Sequence, residues 1–423
     1  MQQLLFLAHR IPYPPNKGDK VRSYNLLKYL AGRYRVHLGA FVDDDADFAH
    51  VPALRELCGE CHLVKLSPEL AKARSLVGLV TGEPLTLPYY RSAAMHQWVQ
   101  QLLRTTRLQG VVAFSAAMAQ YVMATTGIPR VADLVDVDSD KWRQYATTQP
   151  WPYSAIYRRE SRVLLDYERE IARQFDATVF VSSPEAALFR QLAPEAADKV
   201  WHVNNGVDAD YFSPARTYPN PYGDSKQVLA FTGAMDYWPN VDAVVSFAQG
   251  VFPSVRRSVP GARFYIVGAR PTPEVLKLAE LPGVTVTGAV PDMRPYLAHA
   301  KLAVAPLRIA RGVQNKVLEA MAMARPVLAS QQAAEGIEAR AGTEFLVAGD
   351  DAEFAREAIR LLENDDAAGL GAAARARVVA TYIWAASLSR FDQLLQGGSG
   401  MAAPQRAAAD NVFRTGATSG TQP

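Results

Sequence analysis

Short apolar runs recur along the chain, separated by stretches in which polar and apolar residues alternate at helical spacing. "LLFLA", "RVHLGAFV", "CHLVKL", "GVVAF", "RVADLVDV" and "ATVFVS" predict strands in the first half. Amphipathic segments such as "SYNLLKYLA" and "RRESRVLLDYEREIARQF" lie between them and predict helices. The rhythm restarts with "QVLAFTG", "RFYIVG", "VTVTG", "LAVAPL" and "RPVLAS". Each half is therefore a β-α alternation, which predicts a mostly parallel sheet. The seam falls in "VNNGVDADYFSPARTYPNPYGDSK", where Asn, Gly, Pro and Asp cluster. The expected organisation is a Rossmann-like domain over 1–205, a second over 206–380, and a helix over 381–396 that returns to the first, with Trp384 and Phe391 as core residues. Residues 397–423 have linker composition without periodicity and are expected to be disordered.

Composition fits two cores. The chain has 423 residues, 49% of them hydrophobic and 21% charged, enough for two globular domains. A net charge of +3 leaves no overall nucleic-acid footprint. The start is more basic: residues 1 to 35 hold Arg10, Lys17, Lys20, Arg22, Lys28, Arg33 and Arg35 against Asp19, which suggests a face for phosphates or an anionic membrane. "MQQLLFLAH" is too short, and too soon followed by prolines, for a signal peptide or a membrane span. The expected location is the cytoplasm, peripheral on the inner face of a bacterial plasma membrane. Cys58 and Cys61 form a C-x-x-C that closes a helix before a strand and lacks two further ligands at zinc spacing, so the reading is two reduced thiols.

The most informative stretch is "ARGVQNKVLEAMAMARPVLAS", residues 310 to 330. It reads as a charged loop, a helix that is apolar except at its start, and a strand. Such a helix is built to be buried while its N-terminal end, with Gly312, Asn315 and Lys316, faces a guest. Free amides and a partial positive charge there favour an anion. Arg308, Arg311 and Lys316 add full charges. The first strand is followed by "RIPYPPNKGDKVRSYN", which has no G-x-G-x-x-G and so argues against a dinucleotide. Gly18 at the mouth of the next helix could let backbone amides approach a phosphate or sugar, or could simply start the helix. Asp136, Asp138 and Asp140 in "LVDVDSDKW" follow a predicted strand end, where ligands gather in open α/β sheets. Their reading is divided between orienting an acceptor hydroxyl or donor sugar and merely capping a turn.

"VNNGVDADYFSP", "FTGAMDYWPNVDAVVSF", "FYIVGARP", "VTVTGAVPDMRPYLAHAKLAVAPL" and "RGVQNKVLEAMAMARPVLAS" occur in the order and spacing of retaining family 4 glycosyltransferases, which the chain resembles. The proline-glycine loop and "VSSPEA" extend the resemblance into the first half. "VDVDSDKWRQYA", "YRRES", "AMDYWPNVDAV" and "RGVQNKVLEAMAM" look like a narrower group, the sugar transferases associated with exosortase-type exopolysaccharide clusters. The resemblance implies the GT-B fold: α/β, with two Rossmann-like domains whose parallel sheets face across a cleft. It implies transfer of a hexose from a nucleotide-diphosphate sugar to an acceptor hydroxyl with retained configuration, on a lipid-linked glycan acceptor. No cofactor, metal or covalent nucleophile is implied, the nucleotide sugar being a substrate. Glu319 takes the family's ribose-binding position; Gly18, Gly233, Arg308, Arg311, Gly312, Asn315 and Lys316 are expected around the donor, and Asp136 and Asp138 are the catalytic candidates.

The chain also departs from the family. Arg311 stands where a glutamate usually contacts the donor sugar, and "FTGAMDYWPN" lacks the usual Arg and Lys, with Ala234 after Gly233. Arg311 and Lys316 are expected to replace that diphosphate clamp. Ala324 stands where the family ends the helix with glycine. "LAKARSLVGLVTGEPLTLPYYR" and the "YRRESRVLLDYEREIARQF" helix carry the basic and aromatic residues that dock on anionic lipid. Two other readings fit the same fold: a sugar-nucleotide 2-epimerase, of whose histidines only His9 is well placed, and a non-catalytic nucleotide-sugar-binding scaffold.

Overall fold

The computed structural model describes residues 1–15, 18–310, 312–364 and 367–396. It divides into two compact units, each with its own parallel sheet. The first comprises Met1–Phe180, Ala186–Trp201 and the chain from Arg390; the second comprises Val181–Glu185 and His202–Ser389.

The first sheet has seven strands: β1 (Gln3–Ala8), β2 (Arg35–Val42), β3 (Glu60–Lys65), β4 (Leu108–Phe114), β5 (Arg130–Val135), β6 (Ala177–Phe180) and β7 (Val200–His202), in the order β3-β2-β1-β4-β5-β6-β7. β1 lies centrally, with Leu5 beside His37 of β2 and Val111 of β4. Leu4 to Ala8 are wholly buried, because helices cover both faces of a parallel sheet. This is why "LLFLA" reads as an unbroken apolar run. The second sheet has β8 (Val228–Thr232), β9 (Arg263–Val267), β10 (Val284–Gly288), β11 (Leu302–Ala305), β12 (Val327–Ser330) and β13 (Leu346–Ala348), in the order β10-β9-β8-β11-β12-β13. The strand order reverses between β1 and β4 in one unit and between β8 and β11 in the other. In open α/β sheets such a switch point, at the carboxyl ends of the strands, is where ligands bind.

The Arg390–Leu395 helix belongs to the first unit, where Leu395 packs on Gly110 and Asp392 accepts a hydrogen bond from the Tyr29 hydroxyl at 2.6 Å. Phe391 is fully buried there, whereas Trp384 is half-buried against Gly206 in the second unit, so only one of the two expected core residues is central. The 397–423 tail lies outside the described residues. Cys58 caps the Val51–Leu57 helix and Cys61 lies in β3, both as free thiols.

Much of the basic start of the chain is held by carboxylates, although Lys28 and Arg35 are exposed. Lys20 reaches Asp47 at 2.6 Å, Arg22 reaches the fully buried Asp133 at 2.9 Å, and Arg10 bridges Asp19 and Asp43 at 2.8 and 2.9 Å. Lys20 and Arg22 are among the most buried side chains in the protein. A buried ion must be paired, so Lys20 and Arg22 serve the interior instead of a ligand. Lys17 lies outside the described residues.

Candidate functional site

The crevice of the second unit is built by the loop after β8 and the loop after β11. At the first, Gly233 donates its amide to Val267 O at 3.0 Å. A Cβ on Gly233 would stand 2.7 Å from Asn240 Nδ2, so a side chain there would push Asn240 out of place. Asn240, in the first turn of the Trp238–Ser246 helix, donates to Ala234 O at 2.9 Å and accepts from Lys316 Nζ at 2.5 Å. Lys316 Nζ also lies 4.7 Å from the centre of the Phe231 ring, a cation-π contact. One ammonium is thus fixed against both loops.

Lys316 belongs to the Asn315–Ala322 helix, whose inner face buries Val317, Leu318, Ala320 and Met321. Gly312 has φ +63, which turns the chain into the helix at a position that disfavours a Cβ. No side chain caps the helix start; Val317 N already donates to Gln314 O at 3.0 Å, which leaves the amides of Asn315 and Lys316 for an anion. Asn315 Oδ1 is buried without a hydrogen-bond partner. Burial pushes the Lys316 ammonium down to about 8, with Glu319 opposing. Burial pushes the Glu319 carboxyl up to about 7, with Lys316 opposing. Each is the other's countercharge, and desolvation still prevails for both. An anion against Lys316 and hydroxyl donors against Glu319 would relieve that cost.

In the first unit Lys141 joins Asp136 and Asp138, at 2.8 and 3.0 Å. The two carboxylates outweigh burial and hold the Lys141 ammonium above its ordinary range. The space between them, where a metal would sit, is taken by this ammonium. Among the described residues no three His, Cys, Asp or Glu are grouped to hold a metal ion. Val135, just before the pair, has φ +70, a strained value for a β-branched residue. Asp140 is held by Arg143 and Gln144, both at 2.7 Å, which is a helix-start role. Glu168 lies behind the cluster and accepts from Ser139 Oγ at 2.5 Å and Ser139 N at 3.2 Å. Burial pushes its carboxyl up to about 8 against those hydrogen bonds.

Residues 226–364, which span most of the second unit, match the family described as "Glycosyl transferases group 1". The second unit is a group 1 glycosyltransferase domain. The chain is accordingly a glycosyltransferase of the GT-B fold, and solved structures agree with that fold over nearly its whole length. HepE of Anabaena, solved with UDP and glucose, is similar at TM-score 0.63 and 15% identity, covering 93% of this chain and 99% of its own. Sucrose-phosphate synthase of Thermosynechococcus elongatus is similar at TM-score 0.64 and 16% identity, with coverages of 93% and 98%. TarM is similar at TM-score 0.62 and 11% identity, with coverages of 93% and 99%. No curated protein sequence matches the chain.

Within the transferase, the structure links Gly233 to Lys316 through Asn240, with Asn315 and Glu319 on the same helix and Gly312 at its entry. Arg308 stands apart: its guanidinium is bidentate on Asp242, at 2.9 Å through Nε, on the exposed side of the Trp238–Ser246 helix. Its charge is already matched by that carboxylate. Gly18 opens the Gly18–Ala31 helix with no atom within 4 Å of a built Cβ, so close packing does not require glycine there. Arg311 lies outside the described residues. Sequence reasoning missed Asn240, Phe231 and Glu168. For Glu168 a signal existed: it shares helical spacing with Leu164, Ile171 and Ala172, all buried, so a carboxylate was falling on the apolar face.

Proposed function

We propose that this transferase moves a hexose from a UDP-sugar to a hydroxyl of a lipid-linked glycan, with retention, in the assembly of a bacterial exopolysaccharide. The observation that carries the donor half is the Lys316–Asn240–Gly233 connection beside a buried Glu319. In this reading the diphosphate lies on Lys316 and the open amides of the Asn315–Ala322 helix, and Glu319 accepts the ribose hydroxyls. As the glycosidic bond to the diphosphate breaks, negative charge grows on the leaving oxygens. Donors already fixed in place stabilise it without reorganising. The choice of UDP rests on HepE, which was solved with UDP-glucose. The exopolysaccharide assignment rests on the exosortase-type segments of the sequence.

Asp136 and Asp138 are proposed to position the acceptor hydroxyl or donor sugar, with Lys141 setting their geometry. No covalent nucleophile is assigned. The test is to incubate the protein with UDP-glucose and a membrane extract and follow UDP release together with the anomeric configuration of the product by NMR. The proposal expects UDP release and an α-linked product. A β-linked product, or an epimerised donor with no transfer, would overturn it.

A further inference from the structure

Two neighbouring segments of the first unit carry most of its exposed large apolar side chains. The Pro68–Ser75 and Val77–Thr81 helices present Leu70, Leu76, Val77, Leu79 and Val80 to solvent, Val80 at 90% exposure. The turn entering the Tyr153–Gln174 helix presents Trp151, at 81%, and Tyr153. These segments are joined: Arg159 Nη2 donates to Glu83 O at 3.0 Å and also to Gly78 O, and Glu160 accepts from Leu85 N at 2.7 Å. Arg74 ties the first of these helices to Pro88 O and Tyr89 O, at 2.6 Å each. The patch is therefore a fixed surface. Trp142, Tyr145 and Tyr153 gather around Tyr157, with ring centres 5.1 to 6.5 Å from it.

The surrounding charge is cationic. Glu83 and Glu160 are each bound to an arginine, Arg91 and Arg159. Lys72, Arg74, Arg158 and Arg162 are exposed on these same helices, against Glu69 and Asp166. Aliphatic side chains at a helical corner, flanked by Trp and Tyr and ringed by cations, match the layers of an anionic bilayer: acyl chain, interface and headgroup. A protein partner of acidic character would meet the cations but leave the exposed aliphatics without a reason to be so prominent. Among the described residues no helix is long and apolar enough to cross a membrane.

We propose that this face docks the enzyme onto an anionic phospholipid surface, with Leu76, Val80 and Trp151 entering the interface. The inference deepens the lipid-linked reading of the acceptor and rests on it for its purpose. The test is co-sedimentation of the full chain with vesicles of phosphatidylcholine alone, or of phosphatidylcholine and phosphatidylglycerol in equal parts. A companion thermal-shift measurement with UDP reports on the second unit, and light scattering reports oligomeric state. Each cation near the surface should contribute about fivefold, so anionic vesicles should bind at least about tenfold more tightly than neutral ones. V80D/W151S should lower anionic binding by about tenfold or more while the UDP shift is unchanged.

No binding by the native chain, equal binding to both vesicles, or a variant that binds like the native chain would overturn the proposal. So would a native dimer that V80D/W151S makes monomeric without any vesicle binding, since the patch would then serve a second copy. Vesicle binding without a UDP shift would instead leave docking intact and remove the UDP-transferase reading.

Discussion

If Lys316 and Glu319 meet a nucleotide sugar as proposed, binding should move protons, and the direction should reverse with pH. In the free protein the Lys316 ammonium titrates near 8 and the Glu319 carboxyl near 7. A diphosphate against Lys316 restores its ordinary preference for the charged form, and ribose hydroxyls donating to Glu319 do the same for the carboxylate. At pH 8.5 Lys316 is about one quarter protonated before binding and nearly fully so afterwards, whereas Glu319 is already ionised; the net is an uptake of about 0.7 proton. At pH 7 Glu319 is half protonated before binding and ionised afterwards, while Lys316 scarcely changes, so the net is a release of about 0.4 proton. Affinity should therefore weaken as pH rises above 8 and as it falls below 7. Calorimetric titration with UDP-glucose, in two buffers of different ionisation enthalpy, measures both numbers. UDP-glucose is preferable to UDP, whose terminal phosphate titrates in the same range. Lys316→Met should abolish the uptake and keep the release; Glu319→Gln should do the reverse. Uptake that persists in Lys316→Met, or binding without proton exchange at pH 8.5, would refute the reasoning.

Three further outcomes are expected. Ala324 ends the Asn315–Ala322 segment at φ +53, so Ala324→Gly should raise stability by about 1 kcal/mol in chemical denaturation, through relief of left-handed strain. The folded Glu168 carboxyl, raised to about 8 from an unfolded value near 4.5, binds the extra proton only in the native state. Its stabilising effect is full below pH 4.5 and is lost as pH rises through 8, so Glu168→Gln should flatten the fall in melting temperature between pH 5 and 8. Arg22→Ala strands the buried Asp133 carboxylate and should cost about 3–5 kcal/mol, whereas Arg22→Met with Asp133→Leu should cost much less.

Most of the architecture was legible because a parallel sheet is buried on both faces. β2 and β10 coincide with the apolar runs "RVHLGAFV" and "VTVTG" that foretold them. β7 and β13 escaped because each has three residues and lies at a sheet edge, too short for a period to register. The helix of Lys316 and Glu319 was visible because its polar residues crowd one end. Asn240 was not, since its meaning lies in a contact with a residue 76 positions away. The same distance misled the reading of the basic start: Arg22 finds Asp133 111 positions along, and Lys20 finds Asp47 27 along. Local charge counts register an excess of cations but not the distant carboxylates that neutralise them. Arg308 is the converse case, a well-placed arginine whose neighbour Asp242, on another element, already holds it.

In the proposed function the second unit holds a nucleotide diphosphate on Lys316 and Glu319. The most direct test is a thermal-shift panel of UDP, GDP, ADP and TDP and their sugars, with and without magnesium, on the native protein and on Glu319→Ala. A ligand present at a hundred times its dissociation constant adds about 2.7 kcal/mol, a rise of several degrees at most for a chain of this size and readily measured. A shift with UDP and UDP-sugars that is lost in Glu319→Ala is expected. No shift with any nucleotide, or the same shift in Glu319→Ala, would contradict it.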